Sequence, residues 1–294
     1  MLANKFPGKD ISLEDIKTKI PLVSKKNKLD VSIFKIAGVE FGGKKIPILA
    51  GPNTVENKKM IMDIAKEVKK IGASFLRGGA FKPLTFPYRS KKYFETCLDG
   101  IEWLGLAKEK YKIPIITEIT DTKFLREIVK VADILQIGSR NMQNFPLIIE
   151  CAQSGKPIML KRHYGSSLRD WLGAAEYILK EGNKKVILCE RGVIAPHTHS
   201  PTCRFLIDLQ VVPAAKEITH LPIIVDPSHA TFRREWVESM SLASVASGAD
   251  GIMLEVHPKP KEAAVDPLQS IDYLSFKKII KKMKKIAKVI NRKI

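Results

Sequence analysis

From Ile46 onward the chain alternates between short unbroken apolar runs and longer helix-like stretches, and no other feature of the sequence restricts the fold so much. The runs are Ile46–Ala50, Ser74–Arg77, Ile113–Glu118, Ile134–Gly138, Pro157–Lys161, Val186–Arg191, Ile223–Pro227 and Ile252–His257. Continuous apolar character over so few residues marks a strand buried on both faces of a parallel sheet. Helical patterns such as Asn57–Ile71, Tyr93–Tyr111, Phe124–Val131, Leu168–Glu181 and Arg233–Ser247 lie between them, and 82–93 reads as a long functional loop. Eight strand-then-helix units over roughly 250 residues predict an α/β chain folded as a (β/α)8 TIM barrel. A doubly wound parallel sheet is the competing arrangement.

The first 45 residues form a prelude to this barrel, which takes up 46–294. Val31–Ile36 alternates weakly and Gly42-Gly43 is a turn signal, so the prelude is expected to contribute a hairpin that plugs the bottom of the barrel. It is too short for an added regulatory domain of ordinary size, so feedback control through such a domain is not expected. At the other end, Tyr273–Asn291 reads as a helix with Leu274, Ile279, Ile280, Met283, Ile286, Ala287 and Ile290 on its apolar side and lysines on the rest. That pattern fits a helix packed on the barrel behind a snorkelling lysine face.

Composition narrows the class. No apolar run approaches the roughly 18 residues of a membrane span, and Met1–Lys5 lacks the core of a secretory signal. Four cysteines without a CxxC spacing fit a reducing cytoplasm, where Cys97, Cys151, Cys189 and Cys203 serve as small core or surface residues. The net charge of +19 comes mainly from lysines spread along the whole chain, with no interleaved basic and aromatic motif. It therefore points to a solvated surface and an anionic small-molecule substrate rather than to nucleic acid or membrane.

The strand ends carry the chemistry. They present Asn53, Arg77 followed by Lys82, Glu118, Arg140, Lys161 with Arg162, Arg191, His229, and Glu255 with His257; Asp266 follows in the next loop. A buried strand needs no charge at its end, and a parallel barrel keeps its active site at that edge. Arg77, Lys82, Arg140, Lys161 and Arg191 are enough cations for a doubly or triply charged anion. Asn53, His229, Glu255 and Asp266 form a second group: an imidazole and two carboxylates are good ligands for a divalent metal, and an amide is a poor one.

Six segments then occur in order: Gly51-Pro52-x-x-Val55-Glu56, Leu76-Arg77-Gly78-Gly79-Ala80-Phe81-Lys82-Pro83, Gln136-Ile137-Gly138-Ser139-Arg140-Asn141-Met142-Gln143-Asn144, Leu188-Cys189-Glu190-Arg191-Gly192, Asp226-Pro227-Ser228-His229-Ala230 and Glu255-Val256-His257-Pro258. Over 34–269 the chain thereby resembles the small microbial type of 3-deoxy-arabino-heptulosonate 7-phosphate (DAHP) synthase, whose fold is shared by the 3-deoxy-manno-octulosonate 8-phosphate synthases. The resemblance implies a condensation in which phosphoenolpyruvate adds through C3 to the aldehyde of erythrose 4-phosphate, water adds at C2 and phosphate leaves. It also implies that Arg77, Lys82, Arg140, Lys161 and Arg191 hold phosphoenolpyruvate beside Glu118, that Lys82 can act as an acid, and that the protein is a cytoplasmic dimer or tetramer serving aromatic amino acid synthesis.

Two departures from the family pattern stand out. The metal site of the family uses a cysteine where this chain has Asn53, while His229, Glu255 and Asp266 keep the other ligand positions. Metal-independent octulosonate synthases resemble this chain in carrying asparagine there, so no metal and no other cofactor is expected. Secondly, the acceptor loop reads Lys82-Pro83-Leu84-Thr85-Phe86-Pro87-Tyr88 where family members usually read Lys-Pro-Arg-Thr-Ser-Pro-Tyr. Lys82 and Thr85 are kept, but the arginine that family members aim at the sugar phosphate is lost, and so is a serine hydroxyl. Arg89, Arg162 or His163 could compensate, or the acceptor is another aldehyde; His197 and His199 read either as a polar surface loop or as substitute phosphate contacts. An octulosonate-type synthase and a non-catalytic phosphosugar-binding relic are the alternative readings.

Overall fold

The computed structural model describes residues 18–81, 95–196 and 204–294. Two short strands come first, β1 (Phe34–Ile36) and β2 (Val39–Phe41). Eight parallel strands follow: β3 (Ile48–Gly51), β4 (Phe75–Arg77), β5 (Ile115–Ile119), β6 (Ile134–Ile137), β7 (Ile158–Lys161), β8 (Val186–Glu190), β9 (Ile223–Val225) and β10 (Gly251–Glu255). They pair in sequence order, and β10 closes on β3 with Ile252 opposite Ile48 and Glu255 opposite Gly51. Closure excludes the doubly wound sheet. The sequence places every one of these strands, with ends shifted by one or two residues.

Period-two alternation divides each strand between two cores. Every strand points apolar side chains into the barrel: Leu49, Phe75, Ile116, Ile134, Met159, Ile187 with Cys189, Ile224 and Met253 form a single buried cluster. Their neighbours, such as Ile48, Ala50, Leu76 and Leu160, face the surrounding helices in the larger core. The β1–β2 hairpin adds Ile36 and Phe41 to the inner cluster. Phe41 is fully buried, with its ring centre 5.7 Å from that of Phe75. The hairpin is thus the plug that the prelude promised, but its turn lies at Ala37-Gly38, where φ is 46° and 80°, and not at Gly42-Gly43. Two consecutive positive φ values give the turn twist that a two-residue hairpin requires. Gly42 serves close packing instead: a Cβ there would lie 2.0 Å from the Ser32 carbonyl oxygen.

The helices begin where side chains can satisfy their first N–H groups. Asn57 caps Lys58–Ile71 by accepting from the Met60 N–H at 2.9 Å, and Ser167 forms a capping box with Asp170 at the start of Leu168–Lys180. Cys97–Tyr111, Leu125–Val131 and Arg234–Ala246 match the helical patterns of the sequence, while Phe145–Gln153 and Val211–Ile218 are additional helices. The expected strand Ile223–Pro227 stops at Val225, because Asp226 caps a short helix, Pro227–Thr231, whose first residue is proline. In the last helix, Tyr273–Val289, the buried residues are Phe276, Ile279, Ile280, Met283 and Ala287. Leu274, expected on that side, is 80 % exposed, since it lies about 200° around the helix from Phe276. Among the described residues no helix is long and apolar enough to cross a membrane.

Replacing Phe41 with Ala should cost about 3–5 kcal/mol, because the hole opens at the closed floor of the barrel where neighbours cannot collapse. Urea unfolding checks it; a loss under about 1 kcal/mol would show that the hairpin is not part of the barrel core.

Candidate active site

The same alternation that builds the two cores decides which charges meet. Lys161 ends β7 pointing inward, and the next residue, Arg162, points outward. Arg162 is held there by Glu190 at 3.1 Å and Asp208 at 2.7 Å, with two further N–H bonds to the Ser166 carbonyl. Burial raises the Glu190 carboxyl and the Arg162 charge opposes this, which makes the group a structural knot outside the barrel. His163 accepts from the Gly165 N–H at 3.1 Å, and its ring lies tilted against that of Tyr164 with centres 4.1 Å apart. Neither Arg162 nor His163 lines the central cavity, so neither replaces the arginine missing from the acceptor loop. Arg89, His197, His199, Leu84, Phe86, Lys82 and Thr85 lie outside the described residues.

A cavity of ≈ 710 Å³ opens at the carboxyl ends of the strands, and its wall includes Arg77, Glu118, Arg140, Lys161, Arg191, Arg204, His229 and Asp266. At its base Arg77, Lys161 and Arg191 are only 3 %, 4 % and 6 % exposed. Lys161 Nζ donates to Asp226 Oδ2 at 2.6 Å, and His229 Nδ1 lies 2.8 Å from the same oxygen. Asp226 is a site residue that the strand-end reading passed over, although it opens one of the six segments. Its carboxyl is held well below the usual range by His229 and Lys161 despite burial. Burial is also the main reason that His229 titrates well below its ordinary value, so its ring is neutral. Proximity to Asp226 favours the proton on Nδ1 and leaves Nε2 as an acceptor.

Arg77 organises the other side of the base. Its Nη2 donates to Asn53 Oδ1 and lies 3.5 Å from His229 Nε2; its Nη1 lies 3.5 Å from Glu255 Oε2. Asn53 turns its amide nitrogen to Asp266 Oδ2 at 2.5 Å. Glu255 accepts from Gln269 at 2.7 Å and Ser270 at 2.8 Å. Burial lifts its carboxyl to about 7, the charge of Asp266 adds to the rise, and Arg77 resists it. Glu118, on β5, accepts from Gln136 at 3.0 Å. It packs against Gly138, where a Cβ would lie 2.0 Å from Glu118 Oε1 and push the carboxylate aside. Nη1 of Arg77 and Nη1 of Arg191 are buried and donate no hydrogen bond among the described residues, which leaves two donors for a ligand.

His257, grouped with Glu255 in the sequence, is not part of the cavity wall. Its Nε2 lies 3.2 Å from Glu56 Oε1, which also accepts from the Ala264 N–H at 2.8 Å. The pair ties the first strand-end loop to the last one, and so supports Asp266, whose φ of 54° is in the left-handed region.

Ligand atoms of His229, Glu255 and Asp266 all lie within 4.8 Å of one another. The set does not suit a divalent metal. Its fourth member is a neutral amide that already donates to Asp266, and the Arg77 guanidinium stands against both His229 Nε2 and Glu255. A second cation would have to enter beside the first, with a weak donor in place of an anionic one.

The raised carboxyl has a consequence for stability. Protonated Glu255 stabilises the folded state fully below about pH 4.5, and that contribution is lost as pH climbs through about 7. Glu255→Gln keeps the neutral form at every pH. Thermal unfolding should therefore show the variant gaining on the native protein between these limits, and a constant difference across the window would refute the assignment.

Comparison with known proteins agrees with the geometry. The model of the DAHP synthetase I family matches residues 23–292. The phospho-2-dehydro-3-deoxyheptonate aldolase of Thermotoga maritima is 38% identical over 296 residues, covering 100% of this chain and 86% of the relative. A 2-dehydro-3-deoxyphosphooctonate aldolase of Fusobacterium nucleatum is 27% identical over 281 residues, 89% of this chain and 98% of that protein. The crystal structure of the Thermotoga DAHP synthase superposes with a TM-score of 0.86 at 38% identity, covering 92% of this chain and 77% of that one. A truncated form of the Thermotoga enzyme gives 0.85 at 37% identity, covering 94% and 99%.

Proposed function

The chain belongs to the DAHP synthetase I family, and on that footing we propose that it condenses phosphoenolpyruvate with erythrose 4-phosphate to give DAHP and inorganic phosphate. The observation that carries the reading is the cluster of Arg77, Lys161 and Arg191 at the cavity base, with donors left over for an anion. Phosphoenolpyruvate brings a carboxylate and a phosphate, and preorganised cations bind it and stabilise charge as it moves. Arg140 and Glu118 line the same wall, and Lys82 is assigned to the clamp by its place in the Leu76–Pro83 motif.

In the reaction, C3 of phosphoenolpyruvate forms a bond to the aldehyde carbon, whose oxygen takes a proton. Positive charge at C2 is quenched by water, which loses a proton, and the C–O bond to phosphate then breaks. Lys82 supplies the proton to the new hydroxyl. His229, neutral with an accepting Nε2, and Glu255 near its own pKa receive the proton from water. Asn53 directs an amide N–H toward the aldehyde oxygen and Asp266 fixes that amide. Glu118 and Thr85 position substrate.

We read the chemistry as independent of a divalent metal, because Asn53 and Arg77 occupy the ligand trio. Asn53 also supports a second reading, an octulosonate-type synthase, in which the acceptor is a pentose phosphate. Phosphate release from phosphoenolpyruvate, measured with four- and five-carbon aldose phosphates, separates the two. Binding of phosphoenolpyruvate with no release for any acceptor would leave only a binding protein.

Two variants test the machinery. Lys82→Ala should lower kcat by at least about a hundredfold, and near-native turnover would remove Lys82 from the mechanism. Exhaustive chelation should leave the native protein active, while Asn53→Cys should gain affinity for zinc or manganese. Activity lost on chelation and restored by manganese would overturn the metal-free reading.

A further inference from the structure

We infer that Arg204 binds the phosphate of the acceptor sugar and so takes over the role of the arginine absent from the acceptor loop. The inference rests on the synthase reading above and adds a specificity-determining residue that no strand or motif announces.

The backbone places Arg204 firmly. Val193 and Leu206 form an antiparallel bridge with two N–H···O bonds of 2.9 Å, and the Ile194 N–H donates to the Tyr164 carbonyl at 2.8 Å. This strap fixes the backbone two residues from Arg204, whose side chain is part of the cavity wall. Phe205 can lie close beneath because residue 192 is glycine: a Cβ there, at φ +94°, would come within 2.8 Å of Phe205 Cβ.

The charges are what call for a ligand. The Arg204 guanidinium lies 5.0 Å from the ring centres of both Phe205 and Phe232, while that of Arg191 lies 4.1 Å from the same Phe205 ring. Two guanidiniums share one aromatic surface, and the ion pair that Arg204 makes is a long one, 3.9 Å to Asp266 Oδ1. The charge of Arg204 adds to burial in depressing the affinity of Arg191 for its proton. Two like charges that act on each other in this way are eased when an anion binds beside them.

Depth decides which anion. Arg77, Lys161 and Arg191 sit at the base and are almost wholly buried, whereas the Arg204 side chain is 43 % exposed at the mouth. The aldehyde carbon must reach C3 of a phosphoenolpyruvate already seated at the base. The far end of the acceptor then points to the mouth, where its phosphate meets Arg204 on the cavity wall. Aromatic stacking fixes the plane of the guanidinium and leaves its edge N–H groups for a bidentate contact.

The test is steady-state kinetics on Arg204→Ala and Arg204→Lys, with melting temperatures confirming that both fold. Arg204→Ala should raise KM for erythrose 4-phosphate at least about tenfold with a smaller effect on kcat and an unchanged KM for phosphoenolpyruvate. Arg204→Lys should fall between the two. Turnover of unphosphorylated erythrose should not differ between native protein and variants. An unchanged KM for erythrose 4-phosphate, an equal loss on erythrose, or a raised KM for phosphoenolpyruvate overturns the inference while the synthase reading stands. If the native protein turns over no aldose phosphate, the synthase reading fails, and glycerol 3-phosphate binding to the phosphoenolpyruvate-saturated protein decides the question. Calorimetric binding lost in Arg204→Ala supports the inference; equal binding, or none to the native protein, ends it.

Discussion

A guanidinium buried as deeply as that of Arg77 has to be balanced where it stands, and the base of the cavity is built to do so. Its partners come from distant parts of the chain: Asn53 after β3, His229 after β9, Glu255 on β10. Only a closed barrel brings these strand ends to one point, since β10 must pair with β3 for Glu255 to face Arg77. The cost of burying charge is met by mutual pairing: Lys161 against Asp226, Arg77 against Glu255, and His229 held neutral between them. Such pairing stabilises the fold less than an apolar core would. What it yields is a set of donors fixed before substrate arrives.

The floor and the mouth of the barrel follow from this base in different ways. Below it, apolar side chains from all eight strands and the hairpin fill the interior, so no water competes from underneath. Above it, the polar groups must be carried by loops, and the loops need anchors. The Glu56–His257 pair and the Val193–Leu206 strap are two of these. The first couples two strand-end loops and the second closes the loop after β8 on itself, which lets the mouth vary in sequence while the base keeps its geometry.

The barrel was legible because burial on both faces leaves an uninterrupted apolar run, and eight such runs separated by helical patterns admit few alternatives. Where periodicity was weaker the reading drifted. The hairpin turn was assigned to Gly42-Gly43, although Ala37-Gly38 supplies the two positive φ angles. The sequence pattern puts Leu274 on the apolar side of the last helix, where the structure has Phe276. At the site, the inward positions Arg77, Lys161, Arg191 and Glu255 follow from alternation once strand ends are known. The same rule, applied strictly, sends Arg162 outward to Glu190. Asp226 escaped notice because a capping aspartate before proline has a local explanation, and its second duty toward Lys161 exists only in three dimensions.

Arg204 could not have been found by any of these rules. It ends no strand and lies on no helix, and an isolated arginine in a basic chain carries no signal. Its meaning comes from Phe205 and Phe232, which hold it, and from Arg191, which it crowds. A protein can lose one arginine from a phosphate site and keep the site if another cation occupies the same mouth from a different strand end, because a phosphate monoester is recognised by charge and donor geometry and not by chain position. Eight loops converge on the mouth of a (β/α)8 barrel, so several of them can deliver that cation. The sequence of the acceptor loop alone is then a poor guide to the acceptor. The inventory of cations around the cavity, read at the level of the folded chain, is the better one.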